Sequence, residues 1–254
     1  MKLFVLAVGA SIGMSSIAQA QSGADWPNFG NDSGGSQYSP LSQITPDNVT
    51  DLEVAWIHRS GDFKKNPFGT SLQAVPIQAN DLLYYCTPFN RVFALDPATG
   101  EEVWVFDPHA ANAETGEPLI EGERLSGTCR GVAYWQAAEP EDGAACQKRV
   151  LKGDRGGNLW AIDADTGAPC ADFGADAGHP GRVTNADYEM HGEGFVAMPS
   201  PGAVVGDVVI GATAANDGVQ NANDGFVRGW EKGSHIVLGL QRGAVLPTVR
   251  KGKD

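Results

Sequence analysis

The chain is poor in the features that mark many functional classes. Only four cysteines occur in 254 residues, Cys86, Cys129, Cys146 and Cys170. No two have Cys-x-x-Cys spacing, which excludes a zinc ribbon and a thioredoxin-type redox pair. Basic residues are scarce: 18 Lys and Arg stand against 31 Asp and Glu, a net charge of −13. Affinity for nucleic acid rests on neutralising phosphates, so no nucleic-acid partner is expected. Long apolar runs are missing after the first twenty residues, so no transmembrane segment is expected in the mature chain. Apolar spacing at the 3.6-residue helical period is rare, and no Gly-x-Ser-x-Gly motif occurs. The glycine-rich stretch 153–158 lies between two β-type runs with no helix after it, so it reads as a hairpin turn and not as a phosphate cradle.

What is present begins with an export signal. Lys2 is followed by an almost wholly apolar or small run from Leu3 to Ile17, and Ala18-Gln19-Ala20 fits the small-x-small cleavage rule. Residues 1–20 are therefore expected to be removed, and the mature protein to work in the periplasm. In that compartment an even number of cysteines implies disulfides. Four cysteines allow three pairings. Cys129 with Cys146 is favoured, because the Glu/Ala/Asp-rich segment between them reads as a loop needing closure.

The 33 glycines and 15 prolines divide the chain into short β-type runs. These are Leu82–Cys86, Arg91–Leu95, Val103–Phe106, Gly131–Trp135, Arg149–Leu151, Asn158–Ile162 and Val204–Gly211, an all-β signature. Two of them belong to an internal repeat: RVFALDPATGEEVWVF from Arg91 and NLWAIDADTGAPCADF from Asn158, offset by 67 residues. Ala94/Ala161, Asp96/Asp163, Thr99/Thr166, Gly100/Gly167 and Phe106/Phe173 coincide. Each copy reads as a strand, a tight turn held by Asp and Thr side chains with Gly at positive φ, and a second strand. Trp104 offers a flat surface for packing on the neighbouring unit. Sheets of this kind cannot bury both faces alone, so they stack radially as propeller blades. The period exceeds the usual ~40–50 residues per blade, and inserted loops such as Pro108–Ser126 account for the excess.

A third copy begins at Gly225–Trp230 and loses its pattern: no Asp-x-x-Thr-Gly and no docking Trp follow. From Glu231 to Asp254 five basic residues face two acidic ones, against an acidic remainder. Residues 231–254 are therefore read as an atypical tail, of the kind an altered reading frame produces, and residues 21–230 as the folded part.

Several motifs resemble those of the quinoprotein dehydrogenases, which use pyrroloquinoline quinone (PQQ). They are Asp25-Trp26-Pro27 with Gly30, Gln37-Tyr38-Ser39-Pro40-Leu41, Ile44-Thr45-Pro46, Asn48-Val49, Leu52 with Ala55-Trp56, Leu83–Thr87, and Cys129–Tyr134. The resemblance runs collinearly from Asp25 to Trp230. It implies an eight-bladed all-β propeller of which this chain holds about three blades, and PQQ with calcium or another divalent cation near the axis. Full-length members oxidise a sugar or an alcohol and pass electrons to a respiratory acceptor, a quinone or cytochrome c.

The resemblance also assigns site residues. Arg130 matches the arginine that reaches the quinone oxygens, where a guanidinium keeps its charge when buried. Ser200, in Pro199-Ser200-Pro201, and Thr213 match residues near the cofactor. Asn216 and Asp217 occupy the metal-ligand position; an amide oxygen is an acceptable calcium ligand but brings less charge than a carboxylate. Ala74 and Val75 stand before Pro76, where relatives place a polar residue. The general-base Asp of the family matches no residue here, so no catalytic residue is assigned, and the chain alone is expected to be inactive. His179 and His191, near Glu189 and Glu193, have no compact metal-site spacing and read as loop histidines. The same repeats also build exported scaffolds that bind other proteins and no PQQ. Those carry a lipidated Cys after the signal, where this chain has Gln21.

Overall fold

The computed structural model describes residues 25–32, 34–65, 69–111, 115–121, 127–184, 196–215, 225–231 and 234–236. Helix among them amounts to two three-residue 3₁₀ turns, Val49–Asp51 and Ala175–Ala177. No described helix is long and apolar enough to cross a membrane. The rest is antiparallel sheet.

Three four-stranded sheets follow one another along the chain. The first contains β1 (Ile77–Ala79), β2 (Leu82–Cys86), β3 (Val92–Leu95) and β4 (Glu102–Phe106). The second contains β5 (Ala133–Gln136), β6 (Lys148–Gly153), β7 (Asn158–Asp163) and β8 (Arg182–Thr184). A small pair, β9 (Val196–Ala197) with β12 (Ala214–Ala215), flanks the third sheet. That sheet is built from β10 (Ala203–Val205), β11 (Val208–Ala212), β13 (Val227–Glu231) and β14 (Ser234–Ile236). In each sheet the strands lie in chain order, so the structure is a run of meander blades.

Side-chain alternation explains why the blades stack. One face of blade 1 (Tyr84, Cys86, Val92, Ala94, Trp104, Phe106) packs on Val150, Trp160 and Ile162 of blade 2. The opposite face of blade 2 (Ala133, Trp135, Leu151, Leu159, Ala161) packs on Met198, Val209 and Trp230 of the third. Successive residues Val150 and Leu151 thus serve different interfaces. Central strands β3 and β7 are buried along their whole length because both faces are covered.

The repeated corner has the predicted chemistry. Asp96 Oδ1 accepts from the amides of Ala98 and Thr99, both at 2.8 Å. Asp163 Oδ1 accepts from those of Asp165 and Thr166, both at 3.0 Å. Gly100 and Gly167 sit at φ +74° and +77°. Trp104 then docks as expected: its Nε1–H donates to Ala164 O at 2.9 Å, and its ring lies over Gly167, where a Cβ would come within 2.8 Å of it. Trp56 makes the same contact one blade earlier, donating to Pro97 O at 3.1 Å and covering Gly100. The segment 52–60 that carries Trp56 has no regular secondary structure and pairs with no described strand.

Several expectations need correction. The run Val204–Gly211 is not one strand but the hairpin β10–β11, turned at Gly206 (φ +58°) and Asp207. After Gly167 the copies diverge: Phe106 lies in β4, whereas Phe173 lies in a turn and the fourth strand of blade 2 arrives only at Arg182. The disulfides join Cys86 to Cys129 and Cys146 to Cys170, not Cys129 to Cys146. Strand β5 explains this, because it runs between Cys129 and Cys146 and carries them to opposite ends of the blade. In the expected tail, Ser234–Ile236 pairs with β13 as a fourth strand. Residues 237–254, like the signal segment 1–20, lie outside the described residues.

Candidate functional site

Strands β1, β5 and β10 form the converging edges of the three blades, with β5 and β10 approaching each other directly. The residues that enter these strands therefore meet, although they are far apart in sequence. Val75 N–H donates to Arg130 O at 3.1 Å, and Arg130 N–H donates to Pro199 O at 2.8 Å. One backbone residue is thereby held by the approaches to all three blades. Cys129, immediately before it, is buried and bridged to Cys86 at the end of β2.

The Arg130 side chain is exposed and lines a cleft of about 480 Å³. Among the described residues its guanidinium has no hydrogen-bond or ion-pair partner. Ser200 lines the same cleft, as do Val132, Pro201 and the start of β10. The N-terminal loop contributes Asn28, Phe29 and Asp32 to the same lining. Asp32 is oriented by Ser36, whose N–H donates to Oδ1 at 3.1 Å. That side-chain and backbone hydrogen bonding holds the Asp32 carboxyl below its ordinary value, so it remains negative at neutral pH. The cleft thus presents a cation on a tied backbone, a hydroxyl, an amide and one carboxylate. It suits an anionic ligand that reaches the Arg130 side.

Of the predicted site residues, Arg130 and Ser200 are brought together. Thr213 is not part of this lining. Its Oγ1 accepts from Phe226 N–H at 2.7 Å and donates to Phe226 O at 3.3 Å, tying the start of β12 to the strand entering β13. Asn216 and Asp217 lie outside the described residues. So do His191, Glu189 and Glu193, while His179 stands on the exposed turn after Ala175–Ala177. Among the described residues the one cluster with metal-ligand proximity is Cys146, Cys170 and Asp172, and its two sulfurs form a disulfide. The turn at 154–157 is the expected hairpin. Buried Asp154 accepts from Asn158 N–H at 2.9 Å and Trp160 Nε1–H at 2.8 Å, and its carbonyl receives Met198 N–H at 2.7 Å.

Sequence reasoning missed two features. One is the tie of Val75 to Arg130, for which a hydrophobic residue before a proline gives no signal. The other is Lys152, which is fully buried with Nζ bonded to Asn90 Oδ1 of blade 1 at 2.8 Å.

The family model described as "Glucose/ethanol/alcohol dehydrogenase, beta-propeller domain", a PQQ family, matches residues 26–234. Quinoprotein glucose dehydrogenase A of Acinetobacter calcoaceticus is 34% identical over 246 residues, covering 91% of this chain and 29% of that protein. The glycerol dehydrogenase large subunit of Gluconobacter oxydans is 33% identical over 82% of this chain and 27% of its own. Among solved structures, quinohemoprotein alcohol dehydrogenase ADHIIG of Pseudomonas putida superposes with a TM-score of 0.56 at 27% identity, over 83% of this chain and 25% of that one. The Comamonas testosteroni quinohemoprotein alcohol dehydrogenase has the same fold, with a TM-score of 0.57 at 21% identity over 82% and 25%. The chain spans less than a third of the length of these relatives.

Proposed function

The chain belongs to the PQQ family of glucose/ethanol/alcohol dehydrogenase β-propellers, and on that premise we propose that it carries part of the cofactor site of an exported dehydrogenase oxidising a sugar or an alcohol. The observation that supports this is Arg130: a guanidinium without a partner among the described residues, on a backbone tied to three blades, at the wall of a cleft.

The donor chemistry fits PQQ, which bears three carboxylates and an ortho-quinone. Arg130 would hold an anionic or quinone oxygen through its planar fork of N–H donors. Ser200 would add a hydroxyl donor, and Asn28 an amide able to donate or accept. Asp32, a negative group in the same lining, would repel anionic groups, leaving Arg130 to hold them. When bound, PQQ supplies the two-electron oxidation chemistry; the protein's part is to position it and tune its electronics. Calcium or another divalent cation is proposed beside it, held by Asn216 or Asp217. Electrons would pass to a quinone or a cytochrome c, and residues 1–20 would direct the chain to the periplasm.

The test is direct. Titrating the purified chain with PQQ and calcium should quench the fluorescence of its tryptophans at saturation. Arg130→Gln should weaken binding at least tenfold, the scale of one charge-assisted hydrogen bond. Glucose should not be turned over by this chain alone. Equal PQQ affinity in the wild type and Arg130→Gln would remove Arg130 from the site.

A further inference from the structure

The two disulfides do different things to the blades. Cys146 and Cys170 both belong to blade 2 and lie at the end of that sheet away from Arg130. Cys86 and Cys129 join the end of β2 in blade 1 to the segment entering blade 2, so this bridge crosses a blade boundary. Both of its residues are buried, with exposures of 0% and 2%. It ends one residue before Arg130, whose amide and carbonyl are tied to Pro199 and Val75. Gly131, one residue later, sits at φ +156°, and a Cβ there would come within 3.3 Å of Val75 O. The backbone carrying the Arg130 guanidinium is therefore pinned on both sides.

We propose that the Cys86–Cys129 bridge is a positioning element for the anion-binding cleft. By fastening blade 1 to the approach to blade 2 it holds Arg130 in place, so the ligand does not have to order that segment on binding. Rigidifying a binding group in its bound arrangement raises affinity by lowering the ordering cost. A general staple of the fold would act alike at either bridge; a positioning element would not. Binding of PQQ rests on the reading above, but the pinning of the backbone does not.

The experiment compares Cys86→Ala/Cys129→Ala with Cys146→Ala/Cys170→Ala. Amide hydrogen exchange at Val75 and Arg130 should quicken at least tenfold in the first variant and stay within twofold of the wild type in the second. PQQ affinity, read by tryptophan quenching, should fall at least tenfold in the first and less than twofold in the second. Gly131→Ala, which keeps both bridges, crowds Val75 O and should quicken exchange at the same two amides even if the first double variant does not fold. Unchanged exchange at Val75 and Arg130, or equal losses of affinity in the two double variants, would overturn the proposal. A wild type that binds no PQQ would sink the cofactor reading instead, while exchange would still decide the clamp.

Discussion

Lys152 shows how far one residue can depart from its local pattern. It lies in a β-type run where a lysine reads as solvent-facing, yet it is fully buried against blade 1, with Asn90 Oδ1 as its acceptor. Burial lowers its pKa from 10.5 to about 8, partly opposed by the charge of Asp154. A base whose folded value lies below its unfolded one costs stability while the unfolded chain binds the extra proton. The cost is full below about pH 8 and fades towards 10.5, so wild-type stability should rise from about pH 8 to 10, by less than roughly 3 kcal/mol. Lys152→Met should remove the rise, as urea unfolding between pH 7 and 10 would check. Above pH 10 the trend reverses, because burial raises Tyr84 and Tyr85 to about 12 and favours their neutral forms in the fold. Arg130 was named from the family resemblance alone, and its place on the cleft is what the structure adds. The burial of Lys152 and the pairing of Cys86 with Cys129 were not legible in the sequence, since each depends on a partner more than forty residues away.

At the scale of elements the sequence was easiest to read where side chains act on their own backbone. The Asp-x-x-Thr-Gly corner is such a case, and the strand Leu82–Cys86 was found with its observed limits. The hairpin hidden in Val204–Gly211 was missed because its Gly206-Asp207 turn interrupts an apolar run by only two residues. Trp56 was noted only as part of a family resemblance. The signal that could have placed it is an Ala-Trp pair in an apolar run, echoing Val103-Trp104. The two docking contacts should fail differently. A Cβ at Gly167 or Gly100 meets the indole above it and sits at a φ costing about 1–2 kcal/mol. Gly167→Ala separates two complete blades, so it should lower the urea midpoint of the whole transition. Gly100→Ala carries the same φ cost but breaks only the dock of segment 52–60, so it should lower the midpoint less than Gly167→Ala while hastening tryptic cleavage after Arg59.

Apolar side chains are exposed along the chain that leads into blade 1. Leu52, Val54 and Ile57 are 59%, 77% and 63% exposed on a segment whose backbone edge pairs with no described strand. Phe63 and Leu72, further along the same approach to β1, are also exposed. An unpaired backbone edge with apolar side chains is a template for association, opposed here by a net charge of −13. Sedimentation should show the chain self-associating as concentration and salt rise, and Val54→Lys/Ile57→Lys should abolish this without lowering the thermal midpoint. Self-association that persists in the double variant would place the contact elsewhere. The blade arrangement was legible from two repeat copies. Which blade faces would be covered was not, because that depends on neighbours that the repeat pattern does not specify.

The direction of indole docking also sets a timetable. Trp56 rests on a carbonyl 41 residues later in the chain, and Trp104 on one 60 residues later. A ribosome adds ~5–20 residues per second, so each of these two tryptophans is synthesised seconds before the carbonyl on which it rests. Neither indole can dock until the corner beneath it has formed.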